Sequence, residues 1–231
     1  MTKHAREMIA PLREFDLEKE SFLASGVPDN ELLLNYRHKL NDLYHQFIHS
    51  AAPPPDPLAK AEALFKWLWA GNPFRYKRHG CFRLNDVIDA QLSKDSQGAG
   101  NCLGLTLLYN CLLKKIGIDA GALYLENAFG IGPHVLTVVK RGKSLIDIEN
   151  SLPDGFDYKG HLDDLSRIKW GDRELVADIY HSLGNELFLK GESTGALEKY
   201  EFSLHLNPEY EKARLNKAIL LDKMEMDGRM R

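Results

Sequence analysis

Cysteine is scarce in this chain. Cys81, Cys102 and Cys111 are the three it has in 231 residues, and an odd, small number argues against a disulfide framework. There is no CxxC pair. His79 and Cys81 are close, but no second pair completes a structural zinc site. An excess of charge is missing too: 30 Lys and Arg face 33 Asp and Glu, a formal net charge of −3. That removes any global electrostatic case for nucleic acid or an anionic membrane as partner. Long apolar runs are absent. The stretch around Trp67–Ala70 falls far short of the ~20 residues a bilayer requires, and charges interrupt MTKHAREMIAPLREFDLEKE where a signal core would have to lie. No acidic loop has EF-hand spacing; Asp56 and Asp163-Asp164 are isolated spots. The expectation is a soluble cytoplasmic protein that uses no metal and no cofactor.

What is present is an ordinary globular composition, 44% hydrophobic and 27% charged, able to bury a sizeable core without staples. The length allows one larger domain, or a core of about 150 residues with an appendage. Residues 1–55 read as helical: ELLLNYRHKLNDLYHQFIHS is apolar at Leu32, Leu33, Tyr36, Leu40, Leu43, Tyr44 and Phe47, a helical spacing. AAPPPDP breaks the chain. Asp56 then caps a helix with Pro57 in its first turn and a core face of Leu64, Phe65, Leu68 and Trp69. GNPFRYKRHGCF reads as loop, RLNDVIDAQL as a short helix and SKDSQGAGN as a polar, Gly-rich loop. CLGLTLLYNCLLKKIGI is aliphatic on most sides, the mark of a buried helix, with Gly117 as its cap. The period then changes to two in AGALYLEN, HVLTVVK and SLIDIEN, which predicts three strands. SLPDGFDYKGHLDDLSRIKWGD is loop-rich, and helices return from Arg173. The reading is an α+β domain over residues 1–172, its helices and buried central helix preceding an antiparallel sheet, with an α-helical tail over 173–231.

Cys102 stands where the Gly-rich loop meets the buried helix. A helix N-terminus favours a thiolate through its free N–H groups and dipole, and a thiolate is the reactive form. Gln97, just upstream, is a candidate oxyanion donor. His134 opens a strand and is the candidate base. Asp147 lies between Ile146 and Ile148, an unusual place for a carboxylate. A hairpin loop at Arg141-Gly142 puts Lys140 opposite Lys143, Leu136 opposite Asp147 and His134 opposite Glu149. His134, Asp147 and Glu149 then share a face, so both acids are candidate orienters of the imidazole. Cys111 reads as core and Cys81 as incidental. The cluster Phe65, Trp67, Trp69, Phe74 and Tyr76 reads as core packing. The histidines outside the site, His161 and His181 among them, read as surface residues.

GNCLGLTLLYNCLLKKIGIDAGALYL, then HVLTVV, then LIDIEN, resembles the transglutaminase-like superfamily core, in which a Cys opens a helix, a His opens a strand and an Asp lies on the next strand. AGNPFRYKRHGCFRLNDVIDAQL resembles the bacterial branch that carries tetratricopeptide helices after its core. The resemblance spans roughly residues 60 to 220. It implies a papain-like fold, a Cys102–His134–Asp147 triad with Asp147 preferred over Glu149, and a thiol acyl-enzyme mechanism. In the tail, Tyr180, Leu183-Gly184, Leu187, Ala196, Tyr200 and Pro208 fit the tetratricopeptide pattern, with Gly191 at the turn. A single repeat must dock on something, the core or a partner.

Two function classes follow. One is an enzyme acting on a protein or peptide amide through acyl transfer to water, as a peptidase or amidase, or to an amine, as a transamidase. The other is a non-catalytic interaction module that binds a protein partner through the helical tail.

Overall fold

The computed structural model describes residues 15–93 and 97–229. The helical expectation for residues 1–14 and the loop expectation at 94–96 lie outside the described residues. Helices α1 (Leu17–Ala24), α2 (Glu31–Ala51), α3 (Pro57–Gly71) and α4 (Leu84–Leu92) precede the central α5 (Cys102–Lys115). Strands β1 (Ala120–Ala128), β2 (Gly132–Arg141) and β3 (Ser144–Ile148) follow, then β4 (Ile168–Trp170) and helices α6 (Asp172–Leu189), α7 (Ser193–Leu206) and α8 (Glu211–Arg229). This is an α+β chain with an antiparallel sheet in the order β3-β2-β1-β4. None of the described helices is long and apolar enough to cross a membrane.

Local chemistry explains where elements begin. Asn30 accepts from the Leu32 N–H at 2.9 Å, and Asp56 accepts from the Ala59 N–H at 2.8 Å with Pro57 inside the first turn. Asn101 accepts from the Gly104 N–H at 3.1 Å and so caps α5 immediately before Cys102. Every residue from Leu103 to Leu113 is buried, as the all-round apolar pattern requires. Gly117, at φ +79°, closes the helix with its N–H on the Lys114 carbonyl.

The strand β4 is one more than periodicity alone predicts; three residues are too few to show a period of two. The β2–β3 hairpin also differs from expectation. Its two-residue loop is Gly142-Lys143, with Gly142 at φ +61°, so Arg141 pairs with Ser144 and Val138 with Asp147. The register slips by two from the expected one. Parity survives, so the two acids keep a common face, but Glu149 falls just past the last paired residue.

One core runs through most of the molecule. Leu64, Phe65, Leu105, Leu108, Val135, Ile146 and Ile148 belong to it, and so do Leu175, Val176 and Ile179 of α6 and Tyr210 before α8. The outer helices add a small cluster of Ala196, Tyr200 and Leu220. A Cβ at Gly184 would stand 2.5 Å from the Tyr200 ring, so glycine is what lets α7 close onto α6. Inside the main core a polar chain fixes α5 to the sheet. Asn150 donates to Thr137 Oγ1 at 2.9 Å, Thr137 donates to Asn110 Oδ1 at 2.7 Å, and Asn110 donates to the Gly121 carbonyl at 3.0 Å. That chain anchors the residue next to Glu149 as well as the helix that begins with Cys102.

Candidate active site

Three approaches place Cys102. The Asn101 N–H donates to the Cys81 carbonyl at 3.0 Å, and the Ala99 and Gly100 N–H groups share the Arg75 carbonyl at 2.7 and 3.0 Å. A Cβ at Gly104 would lie 2.5 Å from the Cys81 carbonyl oxygen and 2.6 Å from Val87. Glycine there lets the Cys81 loop and α4 press onto the first turn of α5. Cys102 is half-buried, Cys111 is buried in the core, and Cys81 is exposed.

His134, 5% exposed, sits between Cys102 and Glu149. Its Nε2 is 2.7 Å from Glu149 Oε2, which leaves Nδ1 free of that carboxylate, and the ring lines the same two cavities as Cys102. Burial by itself depresses the imidazole pKa. The hydrogen bonds to Cys102 and Glu149, and the charges on both, outweigh it and raise His134 to about 10. The same pair holds the Glu149 carboxyl below the usual carboxylate range: burial pushes it up, and the bonds from His134, His161 and Ser151 more than reverse this. Every Glu149 oxygen is occupied. Oε2 also faces His161 Nε2 at 3.3 Å, and Oε1 accepts from the Ser151 N–H at 3.0 Å and hydroxyl at 2.6 Å. The Glu149 N–H donates to the Gly155 carbonyl at 2.8 Å. A Cβ at Gly155 would come within 2.0 Å of the Glu149 carbonyl oxygen, so only glycine allows this return of the chain.

Asp147 does not orient His134. It is buried, and Arg167 clamps both of its oxygens, Nη1 to Oδ2 at 2.7 Å and Nη2 to Oδ1 at 3.1 Å. Arg167 Nη1 also donates to the His161 carbonyl at 2.7 Å, so Asp147 holds the segment that supplies His161. The resemblance favoured the other acid of the pair. The slip in register carries Asp147 opposite Val138, away from His134, where Arg167 takes it, and Glu149, past the end of β3, is the one whose carboxylate reaches the ring. Gln97 is exposed and is not among the residues that wall the cavities at Cys102; the turn through Gly98, at φ +142°, separates it from the helix start.

Two cavities meet at Cys102 and His134. The larger one, about 420 Å³, has Tyr76, Arg78, His79, Ile131 and Asn185 in its walls. The smaller one, about 190 Å³, is walled by Tyr124, Asp178, His181, Ser182, Asn185 and Tyr210. The helical tail is therefore part of the site. Sequence reasoning missed this, and it read His161 and His181 as surface residues, although both are buried. Tyr76 packs against the core as expected and also faces the cleft, whereas Phe74 is exposed. Burial and the charges on Cys102 and Glu149 raise the Tyr76 pKa, so it stays a neutral donor beside the thiol.

His134, Glu149 and His161 place their ligand atoms within 4.8 Å of one another, a donor set that suits a zinc-type ion. As arranged, the Glu149 oxygen accepts from both rings, which uses the lone pairs and ring nitrogens that an ion would take. No family model, no curated protein and no solved structure matches the chain.

Proposed function

We propose that this chain is a thiol-dependent acyl-transfer enzyme of the transglutaminase-like kind, acting on an amide bond with Cys102 as nucleophile, His134 as acid and base, and Glu149 as orienter. The single observation behind this is His134, buried, in the same cavity walls as Cys102 and bonded to a carboxylate whose every oxygen is engaged. That is the arrangement a thiolate–imidazolium pair needs. The order helix, strand, strand around it supports a papain-like core, and the Gly184–Tyr200 packing with Gly191 at φ +78° in the turn supports a tetratricopeptide-type helix pair.

In this reading the Cys102 thiolate attacks the carbonyl carbon and a C–S bond forms. The oxyanion meets the Cys102 backbone N–H, which has no partner within the helix at its first position. The His134 imidazolium gives its proton to the leaving amine as the C–N bond breaks. Water or an amine then loses a proton to the neutral His134 and attacks the thioester, and Cys102 leaves as thiolate. Glu149 keeps Nε2–H pointed away from the thiol, so Nδ1 faces it. Cys102→Ala is expected to abolish turnover while far-UV circular dichroism and thermal unfolding stay near wild type. Retained turnover in that folded variant overturns the mechanism. The natural first assay is iodoacetamide alkylation of Cys102 located by mass spectrometry, since it needs no knowledge of the substrate.

A further inference from the structure

The smaller cavity has a chemistry of its own. Asp178 is buried in α6, and its Oδ1 receives the Tyr210 hydroxyl at 2.7 Å and faces His181 Nδ1 at 3.4 Å. Among the described residues, Oδ2 receives no hydrogen bond and no lysine or arginine pairs with this carboxylate or lines the cavity. His181 turns its Nε2 to the Asn216 and Asn185 side-chain amides, at 3.0 and 3.4 Å, and not to the open oxygen of Asp178. The Tyr124 hydroxyl is buried with no hydrogen-bond partner. The Tyr124 and Tyr210 rings stand 5.9 Å apart, edge to face. A buried carboxylate with a free oxygen, two phenols and Cys102 therefore bound a space of about 190 Å³, below the size of a drug-like site and suited to one side chain or chain end.

We propose that this cavity is a subsite for an ammonium group on the acyl donor, with Asp178 as counter-charge and the Tyr124 and Tyr210 rings as its walls. An ammonium carries three donors and no acceptor, which matches a free carboxylate oxygen and an unpartnered phenol, and aromatic walls favour a cation over a neutral group. Asp178 repels an anion from the same space. The larger cavity carries Arg78 and the smaller one Asp178, with His134 in the walls of both, so the fixed charge differs on the two sides of Cys102 and the substrate is read in one direction. The helical tail would thereby determine specificity as well as support the core. The proposal rests on the acyl-transfer reading, and two ammonium sources fit it: a lysine side chain or a free amino terminus.

The test compares second-order alkylation of Cys102 in the full-length protein by three probes: acetyl-lysyl chloromethyl ketone, acetyl-norleucyl chloromethyl ketone, and glycyl-norleucyl chloromethyl ketone with its amino terminus free. A charge-assisted contact is expected to favour one charged probe over acetyl-norleucyl by about tenfold. Which probe wins identifies the source. In Asp178→Asn the ratio should collapse toward one. Equal rates for all three probes in the wild type overturn the subsite, whether or not any variant folds. Iodoacetamide, which needs no cavity, reads the thiol separately. Should the thiol prove inert, n-butylammonium chloride against n-butanol in thermal unfolding still decides: a rise in Tm with the amine alone, absent in Asp178→Asn, supports the subsite, and no difference between the two overturns it.

Discussion

Two buried polar clusters flank Cys102, built from the same ingredients. Each has a carboxylate, a histidine on it and a tyrosine nearby: Glu149 with His134, His161 and Tyr158, and Asp178 with His181 and Tyr210. They differ in saturation. Both Glu149 oxygens are filled by donors from the protein, whereas one oxygen of Asp178 is open toward a cavity. A saturated carboxylate cannot bind anything new, and it fixes a ring in place. An open one makes a poor orienter and is a natural ligand partner. Composition alone does not separate these two roles; the count of donors around each acid does.

The largest effect expected from disturbing this comparison comes from Glu149→Gln. The neutral amide removes the anion that supports the imidazolium, and alkylation of Cys102 by iodoacetamide near pH 6 should fall by about a hundredfold or more, as loss of the orienting acid does in triads. Asp147→Asn is the control that sharpens it. Arg167 would lose its charged partner, so thermal or urea unfolding should register a loss of about 1–3 kcal/mol, with alkylation close to wild type. The reverse pattern, in which Asp147→Asn silences the thiol and Glu149→Gln does not, would restore the order the sequence resemblance implied.

The pH dependence comes next. His134 is raised to about 10 from 6.5. A group with a raised folded pKa contributes stability that is complete below its unfolded value and is lost as pH rises through the folded one. Melting temperature should therefore decline between about pH 6.5 and 10, and less steeply in His134→Gln. Alkylation of Cys102 by iodoacetamide at about pH 7 should be severalfold slower in His134→Gln, because the imidazole that serves the thiol is gone. The smallest effect belongs to His161→Phe. It keeps the ring contact with Phe129, 4.6 Å between centroids, but removes one donor from Glu149. A severalfold drop in alkylation with a lower apparent imidazole pKa is expected, and rescue by His161→Gln would assign the effect to the hydrogen bond.

The positions of Cys102 and His134 were legible in the chain because their signals are local. A cap at Asn101, an apolar run from Leu103 and a strand opening at His134 each involve residues a few positions apart. The acid was legible only as a pair. Strand parity put Asp147 and Glu149 on one face, and choosing between them depended on Arg167, twenty residues downstream, and on whether the turn fell at Arg141-Gly142 or Gly142-Lys143. No pattern around His161 or His181 marks them as buried. One lies in a loop-rich stretch, the other in a helix, and each is covered by segments distant in sequence.

The sequence by itself determined the helices and their caps, the buried helix that starts at Cys102, the two-period strands after it, and the parity that brings the acids to the side of His134. These follow from interactions within a turn or a strand, where side-chain chemistry acts on its own backbone. Only the tertiary structure decided which acid meets the imidazole, and that α6 and Tyr210 wall the site beside the thiol. Those outcomes rest on contacts spanning from 15 residues, between His134 and Glu149, to 103 residues, between Arg83 and Glu186 of α6. Contacts of that range depend on how whole elements pack, which a local pattern does not specify.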